Sequence, residues 1–202
     1  MLTIKTSFIA ILVLTVVACS SIPQQQPVDD PNLVWQTRQQ QLLTLKQWKI
    51  QGRAFIQQNS DAWNVGLRWQ QNDYHYQIKL LGPFAQGGIN LDGNSESVVL
   101  TLDDGRQIIA NSAESLLAET FSWRLPISAL QDWIRGLPYT KQDYQELQLD
   151  PYGRISFLSQ QGWQIKFLRY GSFGIHSVPE KIFISHPEIN VRIVISSWNN
   201  LS

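Results

Sequence analysis

Between residues 48 and 80 apolar and polar positions take turns. Trp48, Ile50, Gly52, Ala54 and Ile56 fall on one side, with Lys49, Gln51, Arg53 and Gln57 on the other, and only Phe55 breaks the polar side. Trp63, Val65, Leu67 and Trp69 then alternate with Asn64, Gly66, Arg68 and Gln70, and Tyr76, Ile78 and Leu80 with Gln77 and Lys79. A period of two with one apolar face predicts antiparallel strands, here joined by turns at Asn59-Ser60-Asp61 and Asn72-Asp73. Further strands are predicted over 88–91, 97–102 and 107–110, separated by Asp92-Gly93-Asn94 and Asp103-Asp104-Gly105. Ahead of the first strand the spacing of Trp35, Leu42 and Leu45 predicts a helix over 33–47. Asp29 and Asp30 precede it and Lys46 lies near its end, which agrees with the helix dipole.

From residue 111 to 138 the alternation stops. Asn111 or Ser112 can cap a short helix with Glu114 in its first turn and Leu116 and Leu117 on its apolar side. A second helix starts near Pro126, buries Leu130, Trp133, Ile134 and Leu137, and stops at Gly136 and Pro138. Strands return over 146–149, 155–159, 163–170, 181–185 and 191–197. The prediction is mainly β: about eleven strands, an N-terminal helix, two short helices inserted after the sixth strand, and no internal repeats. An unclosed antiparallel β-barrel fits better than a sandwich, because helices in mid-sequence need an apolar surface to cover.

The N-terminus carries a separate message. One lysine, Lys5, precedes an apolar run over 8–18 that ends in Val16-Val17-Ala18-Cys19, the form of a secretory signal. The run is about half the ~20 residues a membrane span needs. Its last four residues resemble the lipobox of bacterial lipoproteins, which implies cleavage before Cys19 and acylation of its sulfur and new amino group. Residues 20–32 are polar, contain three prolines and show no hydrophobic period. They read as a tether reaching on the order of 40 Å at ~3.1 Å per residue. The expected organisation is a signal peptide over 1–18, a tether over 19–32 and one domain over 33–202.

Charge and composition narrow the function classes. The 202 residues carry 16 basic and 16 acidic side chains, and removal of Lys5 with the signal leaves the balance near neutral. A nucleic-acid binder normally shows a basic surplus or stripe, and none is visible. With Cys19 acylated no thiol remains for a disulfide, a metal or a nucleophile. His75, His176 and His186 lack metal-ligand spacing, and the HExxH, nucleophile-elbow and phosphate-loop motifs are absent. Neither an enzyme nor a cofactor or metal is expected. Eight tryptophans suit cavity walls and membrane interfaces, and equally a sandwich core.

Several segments together resemble the outer-membrane lipoprotein LolB family over nearly the whole mature length. They are Trp69-Gln70-Gln71 with Tyr76, Gly82-Pro83-Phe84, Leu125-Pro126-Ile127 through Leu130 and Trp133 to Gly136-Leu137-Pro138, Gln160 through Trp163, Val178-Pro179 and Trp198. The family fold is an unclosed barrel whose concave apolar face is covered by helices. The resemblance implies a non-enzymatic, nucleotide-independent receptor that takes triacylated lipoproteins from the periplasmic carrier LolA and places them in the outer membrane. It implies anchorage through Cys19 in the inner leaflet, facing the periplasm, with Ser20 as the outer-membrane sorting residue, and a monomer.

The resemblance also names candidate residues. Trp63, Leu67, Trp69, Tyr76, Ile78, Leu80, Val98 and Leu100 would line an acyl-chain cavity, and Leu116, Leu117, Leu130, Trp133 and Ile134 would form its lid; the same pattern serves a packed core. Phe84, with Pro83, stands where the family places a membrane-inserting residue, usually leucine, on a protruding loop. A loop aromatic can also fold back onto the core. Two other functions remain open: an assembly lipoprotein of the envelope with a filled barrel, and a carrier of small hydrophobic ligands.

Overall fold

The computed structural model describes residues 26–82 and 88–201. The signal peptide, Cys19 and the loop positions Pro83 and Phe84 lie outside the described residues. Helix α1 (Pro31–Thr44) leads into strands β1 (Gln47–Gln58), β2 (Asp61–Asn72), β3 (His75–Leu81), β4 (Gly88–Gly93), β5 (Val98–Thr101) and β6 (Gln107–Ala110). Two helices follow, α2 (Ala113–Phe121) and α3 (Ile127–Arg135). The chain returns through β7 (Glu146–Leu149), β8 (Ile155–Gln160), β9 (Trp163–Phe173), β10 (His176–His186) and β11 (Ile189–Asn199).

All eleven strands form one antiparallel sheet in the order β6-β5-β4-β3-β2-β1-β11-β10-β9-β8-β7. The first and last strands zip together at its middle, from Lys49 opposite Asn199 to Gln58 opposite Ile189. Its two edges, β6 and β7, are therefore the strands on either side of α2 and α3 in sequence. The chain between the edges carries an amphipathic pair of helices, and their apolar residues are buried. A helical cover over the open side follows from this order of strands, because an apolar helix face must pack against another element.

The ladder is irregular at three places, one of them between Gln148 and Leu149 on the edge strand β7. Register shifts between Gln51 and Gly52 on β1, where a β-carbon at Gly52 would lie 2.1 Å from the Val194 carbonyl oxygen. It shifts again between Pro179 and Ile182 on β10. Bulges of this kind increase local twist and curvature. Pro179 also explains why the sequence predicts only 181–185 for β10. Proline reads as a strand breaker, yet it is tolerated where the ladder is already interrupted.

Helix α1 begins two residues earlier than the apolar spacing predicts. Asp30 is its N-cap, its carboxylate accepting from the N–H of Asn32 at 2.9 Å and Leu33 at 3.1 Å, and Pro31 opens the first turn. It stops at Thr44, three residues short of the predicted end, so Lys46 lies beyond the helix. Just ahead of α1 the Val28 N–H donates to the Pro151 carbonyl at 2.9 Å, joining the end of the tether to the β7–β8 turn. Ser112 caps α2 through the Ser115 N–H, as predicted. Pro126 occupies the N-cap of α3, without a capping bond, and not its first turn.

Candidate functional site

The concave face of the sheet and the helices over it form one continuous apolar interior. Leu67, Trp69, Tyr76, Ile78, Val98 and Leu100 are buried there, while Trp63 and Leu80 are half-buried. From the lid, Leu116, Leu117, Leu130, Trp133 and Ile134 are all buried in the same cluster, Trp133 beside Gln160 and Trp163. The structure thus brings the cavity and lid candidates together. In this closed arrangement they pack as a core.

What stays open is a cleft of about 380 Å³ at one end of the hollow. Leu45, Trp48, Tyr76, Ile127, Gln131 and Arg135 are among its walls. Tyr76 is the one cavity candidate on it. Burial pushes the Tyr76 phenol up to about 12, with Glu114 and Asp92 adding to the shift, so the ring stays neutral through the physiological range. Behind it Trp48 packs on Trp69 and Trp198 with ring centroids 5.5 Å away in each case. The Trp69 indole donates to Gln71, whose amide donates in turn to the Asp73 carbonyl.

The lid is held unevenly. At the far end of α3 the Trp133 indole donates to Gln160 at 3.0 Å. Arg135 pairs with Asp132 and donates to the Leu42 and Leu45 carbonyls at 3.1 and 2.9 Å, closing off the C-terminus of α1. Asp132 also accepts from the Thr140 N–H at 3.0 Å, and Gly136 ends the helix in the left-handed region (φ 81°) that favours glycine. Helix α2 has fewer polar ties. Glu114 accepts from the Ser128 N–H at 2.8 Å, which links the two lid helices to each other. Gln58 donates to the Ser122 carbonyl at 2.9 Å, which links the α2–α3 connection to the β1–β2 hairpin.

The sequence reading passed over three groups that belong here. Trp48 lies on the alternating apolar face and needed only to be counted with its neighbours. Phe121 and Trp123 straddle the α2–α3 connection, and Trp123 packs edge-on against Trp63 at 5.2 Å. Gln71 and Gln160 are buried amides; the partners of Gln71 lie two residues away at Trp69 and Asp73, whereas those of Gln160 come from the distant stretch 133–142, a signal no local pattern carries.

Among the described residues no helix is long and apolar enough to cross a membrane, and no group of three His, Cys, Asp or Glu could hold a metal. A family model described as outer membrane lipoprotein LolB matches residues 46–198. The outer-membrane lipoprotein LolB of Nitrosococcus oceani is 37% identical over 194 residues, spanning 96% of each chain. That of Pseudomonas aeruginosa is 36% identical over 164 residues, covering 81% of this chain and 80% of its own. Among solved structures, a LolA superfamily protein from Nitrosomonas europaea superposes with a TM-score of 0.52 at 4% identity, over 84% of this chain and 93% of that one. A DUF1329 family protein from Desulfovibrio piger gives 0.52 at 8% identity, over 88% and 96%. At such identities the likeness concerns the fold alone. The match to the LolB model and the full-length relatives, added to a lid that spans an open sheet, place this chain in the outer membrane lipoprotein LolB family.

Proposed function

We propose that the chain is a lipid-anchored receptor of the outer membrane that accepts acylated lipoproteins from the periplasmic carrier LolA and inserts them into the bilayer. It would be held through acylated Cys19 in the inner leaflet, facing the periplasm, and work as a monomer without catalysis or nucleotide. The observation that carries this reading is the cover of the sheet: a largely apolar concave face, closed by two helices with strong polar ties at one end only.

The physical need is large. Three acyl chains hold roughly 40 or more methylenes, each costing about 0.8 kcal/mol to expose to water. An apolar hollow offsets nearly all of that cost. The open cleft of 380 Å³ is too small for such a cargo, being near the low end of the ~300–1,000 Å³ of ordinary small-molecule pockets. Acceptance therefore requires the lid to lift, so that acyl chains replace Leu116, Leu117 and Leu130 against Trp69, Ile78 and Leu100. Transfer from carrier to receptor needs only a modest affinity difference, about 1.4 kcal/mol for each tenfold bias. Phe84, with Pro83 beside it, would enter the bilayer from the β3–β4 connection and open a path for the chains.

The decisive test mixes the domain lacking Cys19 with LolA charged with a radiolabelled lipoprotein. Stoichiometric movement of label onto the domain supports the receptor. Binding of carrier without transfer would instead mark an assembly lipoprotein. Uptake of free lipid alone would mark a carrier of small hydrophobic ligands.

A further inference from the structure

At the end of the hollow opposite the cleft, the α2–α3 connection lies against the β1–β2 hairpin. Trp123 is buried there between Phe121 and Trp63, with ring centroids 5.2 Å away on both sides. Its indole N–H is fully enclosed and finds no hydrogen-bond partner among the described residues. The side-chain oxygen of Gln58 is likewise enclosed and unpartnered, while its amide nitrogen is held by the carbonyl of Ser122, the residue before Trp123. Gln58 and Trp63 both belong to the concave side, in step with Ile56 on β1 and with Leu67 and Trp69 on β2.

An enclosed donor and an enclosed acceptor, both unmet, are an unfavourable feature of an apolar interior. A ligand that brings the complementary groups removes the penalty at both. The ligand has to be largely hydrocarbon, because aromatic rings surround the Trp123 indole, and it has to carry one acceptor for the Trp123 N–H and one donor for the Gln58 oxygen. A secondary amide at the head of an acyl chain meets both demands. An ester meets only the first.

We propose that Trp123 and Gln58 form a subsite for the amide joining an acyl chain to the N-terminal cysteine of the cargo. The Trp123 N–H donates to the amide carbonyl, and the amide N–H donates to the Gln58 oxygen. This rests on the acyl-accepting role proposed above. It adds to that role a means of telling N-acylated cargo from phospholipid, whose chains are joined through esters.

The test uses the domain lacking Cys19 and three single-chain probes, N-methylpalmitamide, methyl palmitate and hexadecane, each titrated against wild type, Trp123→Phe and Gln58→Met. Trp123→Phe keeps an aromatic six-membered ring and removes the donor with the pyrrole half of the indole. It should weaken the amide and the ester about tenfold more than it changes hexadecane, whose response reads the smaller ring alone. Gln58→Met, which also releases the Ser122 carbonyl, should weaken the amide relative to both the ester and hexadecane. If Trp123→Phe changes no probe, the N–H is met by buried water and the subsite is refuted. If a variant weakens all three probes equally, the residue only shapes the hollow, and the subsite is again refuted. Failure of wild type to bind any probe, hexadecane included, would instead overturn the acyl-accepting role itself.

Discussion

Trp133 on the lid donates its indole N–H to Gln160 on β8 at 3.0 Å, and both side chains are fully buried. The same Gln160 oxygen accepts from the Tyr139 N–H at 2.8 Å, and its amide nitrogen donates to the Tyr139 and Gln142 carbonyls at 2.9 and 2.8 Å. One amide thus fixes α3, the loop behind it and the end of β8 together. Gln160→Leu roughly preserves volume but strands two N–H groups and the Gln142 carbonyl, while the Tyr139 carbonyl keeps the Gln142 N–H at 3.4 Å. At roughly 1–3 kcal/mol for each buried group left unmet, partly relieved by relaxation, a loss of about 2–4 kcal/mol is expected. Urea unfolding followed by tryptophan fluorescence measures it. A loss below 1 kcal/mol would show that water reaches this corner.

Arg135 calls for a separate variant because it joins α3 to the end of α1. It pairs with buried Asp132 and satisfies the last carbonyls of α1, at Leu42 and Leu45. Arg135→Met leaves a carboxylate buried without its cation, a change that typically costs about 3–5 kcal/mol. Arg135→Lys should rescue little of this, since an ammonium cannot reproduce a planar fork that serves a carboxylate and two carbonyls at once. Chemical denaturation of both variants decides the point, and full rescue by lysine would reduce the role of Arg135 to charge alone.

The strands were legible because their apolar faces alternate cleanly. So were the two lid helices, whose caps and stops at Ser112 and Gly136 lie in the local sequence. The order of strands was not: nothing local says that β1 pairs with β11, yet that pairing sets the edges and sends the lid across the hollow. Leu67, Ile78 and Leu100 could be named as inward-facing from periodicity. Their closed packing under α2 and α3 could not, because the same pattern fills a core or lines a cavity. Pro179 and Gly52 misled or stayed silent for one reason. Bulges arise from pairing between distant strands, and the residues that permit them look like breakers or gaps in a single strand.

His176 predicts how the protein responds to mild acid. Burial lowers its pKa below the ordinary histidine value, and the nearby Arg38 guanidinium lowers it further. Arg38 on α1 reaches over to donate to the Ser177 carbonyl at 2.8 Å, and Tyr170, Arg154 and Asp150 make up the charged and titratable surroundings of that arginine. A depressed folded pKa means that the unfolded chain binds the proton first as pH falls. Stability from this group is therefore present above about pH 6.5 and declines below it until the folded form also titrates. Melting temperatures of wild type and His176→Asn, compared between pH 7.5 and 5.5, should converge as pH drops. Parallel curves would show that His176 makes no contribution to the acid response.

Phe84→Glu separates acceptance of cargo from its insertion. The β3–β4 connection leaves the sheet beyond Leu81 and returns at Gly88, while the lid is tied to the sheet through Gln58 and Trp133 and to the end of α1 through Arg135. None of these ties involves residue 84. The variant should fold normally and take labelled lipoprotein from LolA at the wild-type level. Its failure should come at the bilayer, because an aromatic ring is favoured at the membrane interface and a carboxylate is not. A difference of about 1.4 kcal/mol or more at that step slows delivery roughly tenfold or more. Counting label on the domain and label in outer-membrane vesicles in the same reaction reads both steps. Wild-type incorporation would remove Phe84 from the mechanism, and loss of uptake from LolA would move its role from the membrane to the carrier.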